Sequence, residues 1–446
     1  MVSRDTAPCE SNLQRPEGLD TNFDVSGMID TDTGVLDRRI FSDQLIYEQE
    51  QRRIFARSWL FIAHESQLEK RGDFFQTYMG EDPVIAVRNG SGDIRVMLNS
   101  CRHRGARVCR ADLGRTKNFT CSYHGWSYDL DGKLVSVPGE SYYNEQFNRD
   151  HWGLVTVPRV ESYKGLVFAN WDADAEPLTD VLGDMKWYLD AFIDRDSKGT
   201  RAVGGVTKWV LDGNWKLAAE QFATDWYHVT MSHASALMVL SPTGKGPKKQ
   251  IVERTGRQYT DDRGNGAGFP VHPKNRFDAQ PVHEYYDYDA LRERLSEEQV
   301  TGPMTNGHAT VFPNFSYLPV IGTVRVWHPK GPNKMEVWSW TIVDKEMPDD
   351  VAQAQRLYNL RTFGPSGIFE QDDGENWSEC QSNAGAFMVS NTPLNYQMGL
   401  GDLKEREGYP GKTSELYSDE AGRSFYRRWS ELMNSPAWHE NKAESS

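Results

Sequence analysis

Cys101-Arg102-His103-Arg104-Gly105 and, a short way on, Cys121-Ser122-Tyr123-His124-Gly125-Trp126 are the stretches that decide how this chain is read. They spell C-x-H and C-x-x-H, each setting one thiol beside one imidazole. A [2Fe–2S] cluster with two thiolates on one iron and two neutral imidazoles on the other needs this set. The gap between the cysteines suits two neighbouring β-loops, each giving one Cys and one His. Gly105 and Gly125 follow the pairs; they are expected to let backbone approach a cluster and to donate N–H bonds to its sulfurs. Cys109 falls outside both pairs and reads as structural. Two blander readings compete: unliganded core residues, or a Cys2His2 zinc site, for which the C-x-H half is unusually tight.

Around these loops lie short β-prone runs, FFQTYM, PVIAVR and DIRVML, parted by turn signals such as Asn89-Gly90-Ser91-Gly92-Asp93. WSYDLDGKLVSV reads as a hairpin with Asp131-Gly132 at its tip, and Leu166 to Ala169 as a closing strand. Upstream, Asp37 to Trp59 has the apolar spacing of one amphipathic helix. Composition shifts after Trp171. Helices are expected over Leu178 to Ile193, Trp215 to Val229 and Asp349 to Phe363, with another starting near Ser366 after Gly364-Pro365. Strands are expected over VGGVTKWVL, Phe315 to Tyr317, Val324 to Trp327 and Glu336 to Val343. A Gly/Pro/Lys loop, Ser241 to Gln250, is expected to keep its polar character to about Gly268. The organisation is a small β unit inserted near the front of a larger α+β unit: 1–57 as the N-terminal part of the larger unit, 58–177 as the insert, and 178–446 as the rest.

Composition sets outer limits. The chain has 446 residues, 38% hydrophobic, with 14 Trp and 19 Phe, enough for two cores. A net charge of -14 argues against nucleic acid or an anionic membrane as partner. Five cysteines make no disulfide framework and fit a reducing cytosol. No signal-like h-region and no long apolar span is seen, so a cytoplasmic location is expected.

Asp225-Trp226-Tyr227-His228-Val229-Thr230-Met231-Ser232-His233 holds a second constellation, H-x4-H. Positions five apart sit about 140° apart on an ideal helix, so both rings reach one metal only if the helix ends or distorts between them. Two histidines and a carboxylate form the facial triad of non-haem Fe(II) oxygenases. The run Phe369-Glu370-Gln371-Asp372-Asp373-Gly374-Glu375 offers the acid, and residue physics leaves Asp372, Asp373 and Glu375 open.

CRHRG with CSYHGW resembles the Rieske signature of aromatic-ring-hydroxylating oxygenase large subunits. GNWKLAAEQFATDWYHVTMSHAS and FEQDDGENW resemble the mononuclear-iron segments of the naphthalene/biphenyl dioxygenase group. The resemblance runs from about Asp37 to about Pro393. It implies an all-β Rieske [2Fe–2S] domain inserted in a larger α+β catalytic domain, whose antiparallel sheet and helices are of the helix-grip, START-like kind. By motif position it implies Cys101, His103, Cys121 and His124 on the cluster, with Trp126 packed nearby, and His228, His233 and Asp373 on a mononuclear non-haem Fe(II). Gln221 falls beside that iron. Phe222, Val229, Phe363 and Phe369 fall on pocket-lining positions. The resemblance also implies a catalytic role for Asp225, which would bridge a Rieske His124 of one chain to His228 of the next.

The same resemblance implies a dioxygenase that turns an arene into a cis-dihydrodiol. Electrons would come from NAD(P)H through a reductase and ferredoxin, and assembly would be an α3 homotrimer or α3β3 with a small β subunit. Its alternatives are a monooxygenase or angular or aromatic-carboxylate dioxygenase with the same centres, or a Rieske electron carrier. Arg102, Arg104, Arg107, Arg110, Arg115 and Lys117 are read as a docking face for an acidic ferredoxin or as ordinary solvated charge. Residues near the ligand motifs are largely apolar, Met231, Val239 and Leu240 among them, and the ligand motifs Asp225–His233 and Phe369–Trp377 hold no Arg or Lys. That favours a neutral fused-ring or biaryl substrate, although Lys245, Lys248 and Lys249 lie close in sequence.

Overall fold

The computed structural model describes residues 23–240, 255–271 and 285–435. The loop Ser241–Gln250 and its lysines fall outside them. Among the described residues no helix is long and apolar enough to cross a membrane.

The Cys/His loops rise from a strand-rich module. Its four-stranded sheet is built from Asp73–Met79, Asp82–Arg88, Ile94–Leu98 and Leu113–Arg115, and a three-stranded sheet from Phe119–Thr120, Ser127–Tyr128 and Leu134–Ser136. The expected hairpin is present, with Gly132 at φ +82° in its turn. Leu166–Asn170 lies between Arg159–Tyr163 and Leu60–His64. The two ends of the module are thereby stitched side by side.

The larger unit is a nine-stranded antiparallel sheet: β1 Thr200–Leu211, β2 Gly256–Thr260, β3 Gly266–Pro270, β4 His308–Val311, β5 Phe315–Leu318, β6 Thr323–Pro329, β7 Met335–Asp344, β8 Lys404–Arg406 and β9 Tyr409–Glu415, in the order β1-β7-β6-β5-β4-β3-β2-β9-β8. Helices α1 Trp215–Thr224, α2 Val229–Ser232, α3 Asp349–Phe363, α4 Glu370–Ala384 and α5 Glu420–Asn434 carry or brace the site.

Four expectations are corrected. The stretch Asp37 to Trp59 is not one helix but a 3-10 turn (Arg38–Phe41), an α-helix (Gln44–Glu50) and a π turn (Gln51–Phe55). Two aspartates punctuate it: Asp37 accepts the Arg39 amide, and Asp43 those of Leu45 and Ile46. Leu178 to Ile193 is broken at Gly183 into two helices. The stretch read as polar loop to Gly268 holds the β2–β3 hairpin. Its glycines serve close packing: a Cβ on Gly266 would lie 2.9 Å from the Ala223 carbonyl oxygen, and one on Gly268 2.9 Å from Trp226, so the site helix can rest on the strand. The helix expected near Ser366 starts at Glu370, because the amides of Ile368 and Phe369 turn back to the carbonyls of Arg361 and Thr362.

α1 is fastened at its root by a buried knot. Lys216 Nζ lies 2.5 Å from Glu50 Oε1, with both side chains fully buried. The indoles of Trp215 and Trp429 donate to the same carboxylate at 2.9 and 2.8 Å. Two charges in a dry interior are tolerable only when paired and hydrogen-bonded this fully.

Candidate metal centres and substrate cavity

The two Cys/His loops are built on one plan. The Cys101 amide donates to the Ala106 carbonyl and the Gly105 amide to the Cys101 carbonyl; Cys121, Trp126 and Gly125 repeat the pattern. Gly105 and Gly125 sit at φ +74° and +76°, a left-handed turn that favours glycine. This corrects one expectation: the glycine amides close the loops onto the cysteine carbonyls rather than pointing at sulfur.

The loops bring the His103 and His124 Nδ1 atoms to 3.1 Å. His103 stacks on buried Trp126, with centroids 5.0 Å apart and planes 7° apart. Cys101 and Cys121 are buried and unpaired as disulfides. Burial pushes the Cys101 thiol up, so a bare thiolate is disfavoured there and metal binding would hold it deprotonated. Two buried thiols and two imidazole nitrogens turned toward each other fit a mixed-ligand cluster. Tyr128, fully buried, places its hydroxyl 3.3 Å from Cys101 Sγ and accepts the Arg102 amide at 3.1 Å. Cys109 lies outside the pair, its amide tied to Asn99.

The second centre depends on where α1 stops. The helix expected to reach Val229 ends at Thr224. Asp225 is extended (φ -89°, ψ 92°), and its Oδ1 accepts the amides of Tyr227 and His228 at 2.8 and 3.0 Å. One aspartate thus ends α1 and starts the next turn, a local bond that competes with helix. α2 is that single turn, with His228 before it and His233 after it. Because neither histidine is inside a continuous helix, the 140° separation does not apply. Their Nε2 atoms meet at 3.3 Å, and each lies 3.4 Å from Asp373 Oδ1. These three residues are a possible metal-binding group, their donor atoms all within 4.8 Å of one another. An ion with bonds of about 2.1 Å fits against one face of such a triangle, as a facial triad requires.

The acids left open by the motif separate. Asp373 is buried and faces the histidines. Asp372 Oδ2 lies 3.0 Å from the outer nitrogen of His233. Glu375 is exposed. Asp225 Oδ2 lies 3.2 Å from the outer nitrogen of His228. Each imidazole therefore has a carboxylate behind it, which fixes ring orientation. Burial opposes charge on His228, yet Asp225 and Asp373 outweigh it and raise its pKa to about 10. Such a field invites a cation. Gln221 donates to Asp373 Oδ1 at 2.9 Å and accepts from the Trp377 indole at 2.8 Å.

A cavity of about 240 Å³ opens beside the triangle. Gln221, Phe222, Val229, Phe363 and Phe369 all line it, as do Asp225 and Leu237. Trp226, His308, Leu318, Val320, Ile321 and Tyr358 line it too and were not foreseen. Trp226 sits inside the first ligand motif, whereas the other five come from the β4–β6 region and α3, far from the ligand motifs in sequence, and carry no local signal. Met231 and Val239, read as near-site apolar residues, are 58% and 77% exposed and absent from the lining. His308 gives its Nδ1 to the Phe222 carbonyl at 2.6 Å, and burial lowers its pKa to about 4, so it is neutral at pH 7. Among the basic residues near the cluster, three are engaged within their own module: Arg115 with Asp73, Arg107 with the Tyr78 hydroxyl, and Arg102 with the Gly153 carbonyl.

Residues 58–159 match the Rieske [2Fe-2S] domain, and residues 179–435 match the ring hydroxylating alpha subunit (catalytic domain). The second match alone spans more than half of the chain. This chain belongs to the Rieske ring-hydroxylating oxygenase alpha subunits. Its relatives include the biphenyl 2,3-dioxygenase alpha subunit of Rhodococcus jostii (strain RHA1), 46% identical over 96% of this chain and 95% of the relative. The benzene 1,2-dioxygenase alpha subunit of Pseudomonas putida is 44% identical over 94% of this chain and 96% of the relative. The solved structure of naphthalene 1,2-dioxygenase with indole in its active site superposes with a TM-score of 0.87 at 33% identity, covering 95% of this chain and 98% of that one. The oxygenase family assignment gives this alpha subunit a Rieske cluster and a mononuclear non-haem iron, and sets aside the zinc and electron-carrier readings. It is an aromatic ring-hydroxylating terminal oxygenase large subunit, of a family that works with ferredoxin and reductase and often with a β subunit.

Proposed function

We propose that this alpha subunit dihydroxylates a neutral fused-ring or biaryl arene, adding both atoms of O2 to adjacent ring carbons to give a cis-dihydrodiol. The observation that carries the reading is the His228/His233/Asp373 triangle at the wall of a largely apolar cavity whose described lining holds no Lys or Arg. A carboxylate substrate would meet Asp225 there with no Lys or Arg among the described lining to pair it, at a cost burial makes large. The biphenyl and naphthalene relatives support the same substrate class.

In this reading Cys101, Cys121, His103 and His124 hold the cluster and His228, His233 and Asp373 the iron, within a chain divided 1–57, 58–177 and 178–446. When bound, the cluster supplies electrons singly and the iron supplies vacant positions for O2. The chain's own residues do the rest. Asp372 and Asp225 fix the two imidazoles from behind, and Gln221 holds the Asp373 carboxylate from the side. Phe222, Phe363 and Phe369 grip the arene faces and exclude water. Asp225 also links His228 to His124 of a second copy, so an α3 or α3β3 assembly is part of the active unit. Electrons reach the Rieske module from NAD(P)H through a reductase and ferredoxin.

The test is turnover of biphenyl, benzene, naphthalene and benzoate with labelled O2, reductase and ferredoxin. Two labelled atoms per product, with benzoate poorest, is expected. One labelled atom would mean monooxygenation, and a preference for benzoate would sink the substrate class.

A further inference from the structure

Behind the cavity, away from any reacting atom, sits a buried cation. Arg325 lies in the middle of β6 with no exposed surface. Its Nη1 is 2.6 Å from Glu370 Oε2, itself buried, and its Nη2 donates to the Phe363 carbonyl. The guanidinium carbon is 5.3 Å from the ring centres of both Phe222 and Phe363, and 5.6 Å from those of Trp209 and Trp327. Phe363 is the last residue of α3 and Glu370 the first of α4. One side chain therefore fastens both ends of the turn that joins them.

That turn carries the cavity wall. The Phe363 and Phe369 rings stack at 5.3 Å, 30° apart, and Phe369 meets the His233 ring edge-on at 4.9 Å. The Asp373 amide bonds the Phe369 carbonyl at 3.0 Å. The wall and one corner of the ligand triangle, Asp373, thus hang from one short segment, and Arg325 holds it to the sheet. Stability alone does not call for this device, because replacing a buried ion pair with packed apolar residues is often neutral or stabilising. A planar fork joining a carboxylate and a carbonyl while lying between aromatic faces supplies fixed geometry, which an ammonium cannot reproduce.

We propose that Arg325 is a specificity-setting positioning residue: it buckles α3 to α4, so that the Phe363–Phe369 wall stands at one distance from the iron ligands and selects which ring carbons face them. The inference rests on the function proposed above only for its product readout.

The test uses the full chain with a single 4-fluorophenylalanine at position 363, comparing the parent with the double variant Arg325→Met/Glu370→Met and with Arg325→Lys. The fluorine spectrum is read without turnover. The dihydrodiol regioisomer ratio from 2-chlorobiphenyl is read with reductase and ferredoxin. The double variant is expected to keep its melting temperature, broaden or split the fluorine resonance, and shift the regioisomer ratio by at least about threefold, a difference of at least about 0.65 kcal/mol between two transition states. A folded double variant with one parent-like resonance and an unchanged ratio overturns the proposal. Should that variant fail to fold, Arg325→Lys decides: it keeps a charge beside Glu370 but loses the fork, so a sharp parent-like resonance overturns the proposal and a broadened one supports it. A parent that makes no dihydrodiol defeats the functional reading, while the fluorine signal still decides the role of Arg325.

Discussion

Replacing Tyr128 with Phe should lower the reduction potential of the cluster by about 40 mV. The hydroxyl lies 3.3 Å from Cys101 Sγ, and burial together with that sulfur raises its pKa further, so it remains a donor throughout the working pH range. Reduction adds one electron, and a donor stabilises the more negative state. Hydrogen bonds to charged groups are worth about 1.5–3 kcal/mol, but only the part gained on reduction moves the potential. Taking that part as about 1 kcal/mol, and about 59 mV per tenfold for one electron, gives the figure above. Tyr128 has no exposed surface, so Phe keeps the ring packing and the fold. The assay is an EPR-monitored redox titration of the reduced cluster, with the visible spectrum as a check on cluster content. An unchanged or higher potential in a fully loaded variant would show that the hydroxyl does not act on the sulfur.

Asp373→Ala should lose the mononuclear iron and keep the visible absorbance of the cluster; iron analysis showing undiminished metal would reassign the third ligand. Asp225→Asn should keep both metals but slow cluster reoxidation with O2 and arene by about 10–100-fold, the usual cost of removing a partner of a ligand imidazole; a parent-like single-turnover rate would refute the bridging role. Glu220→Gln should flatten the pH dependence of stability. Burial raises the Glu220 pKa to about 8, against hydrogen bonds from Tyr396 and Tyr426. The folded chain holds this proton more tightly than the unfolded chain, so stability falls as pH rises from about 4.5 to about 8. A melting-temperature profile identical to that of the neutral variant across that window would contradict it.

Much of this was legible in residue order because the chemistry is local. C-x-H and C-x-x-H each sit on a loop of a few residues, and the H-x4-H spacing already demanded a broken helix. The sequence did not say that Asp225 breaks it: an aspartate after an apolar helix reads equally as its last polar turn, and only the bonds to the Tyr227 and His228 amides decide. The acid of the triad was open for the same reason, since three carboxylates within four positions differ only in which way they face. Gly266 and Gly268 suggested a loop because glycine weakens strands on average, whereas here the missing side chains make room for α1. Leu318, Val320, Ile321 and Arg325 left no trace, because their roles exist only once β5 and β6 lie against α3 and α4.

The knot at Glu50 has a bearing on biosynthesis. The cluster-bearing module spans a continuous run of chain and needs nothing made after about Asn170 to close its sheets. The helix that leads to His228 and His233 is held instead by a carboxylate from residue 50 and an indole from residue 429. During synthesis the strand pairings of that module can form first, but its Phe61, Phe75 and Phe168 find their aromatic partners, Phe315, Trp338 and Trp340, only when the later sheet is made. A polypeptide cut short before Trp429 would keep every strand pairing of the Cys/His module yet lose one of the two indoles that grip Glu50.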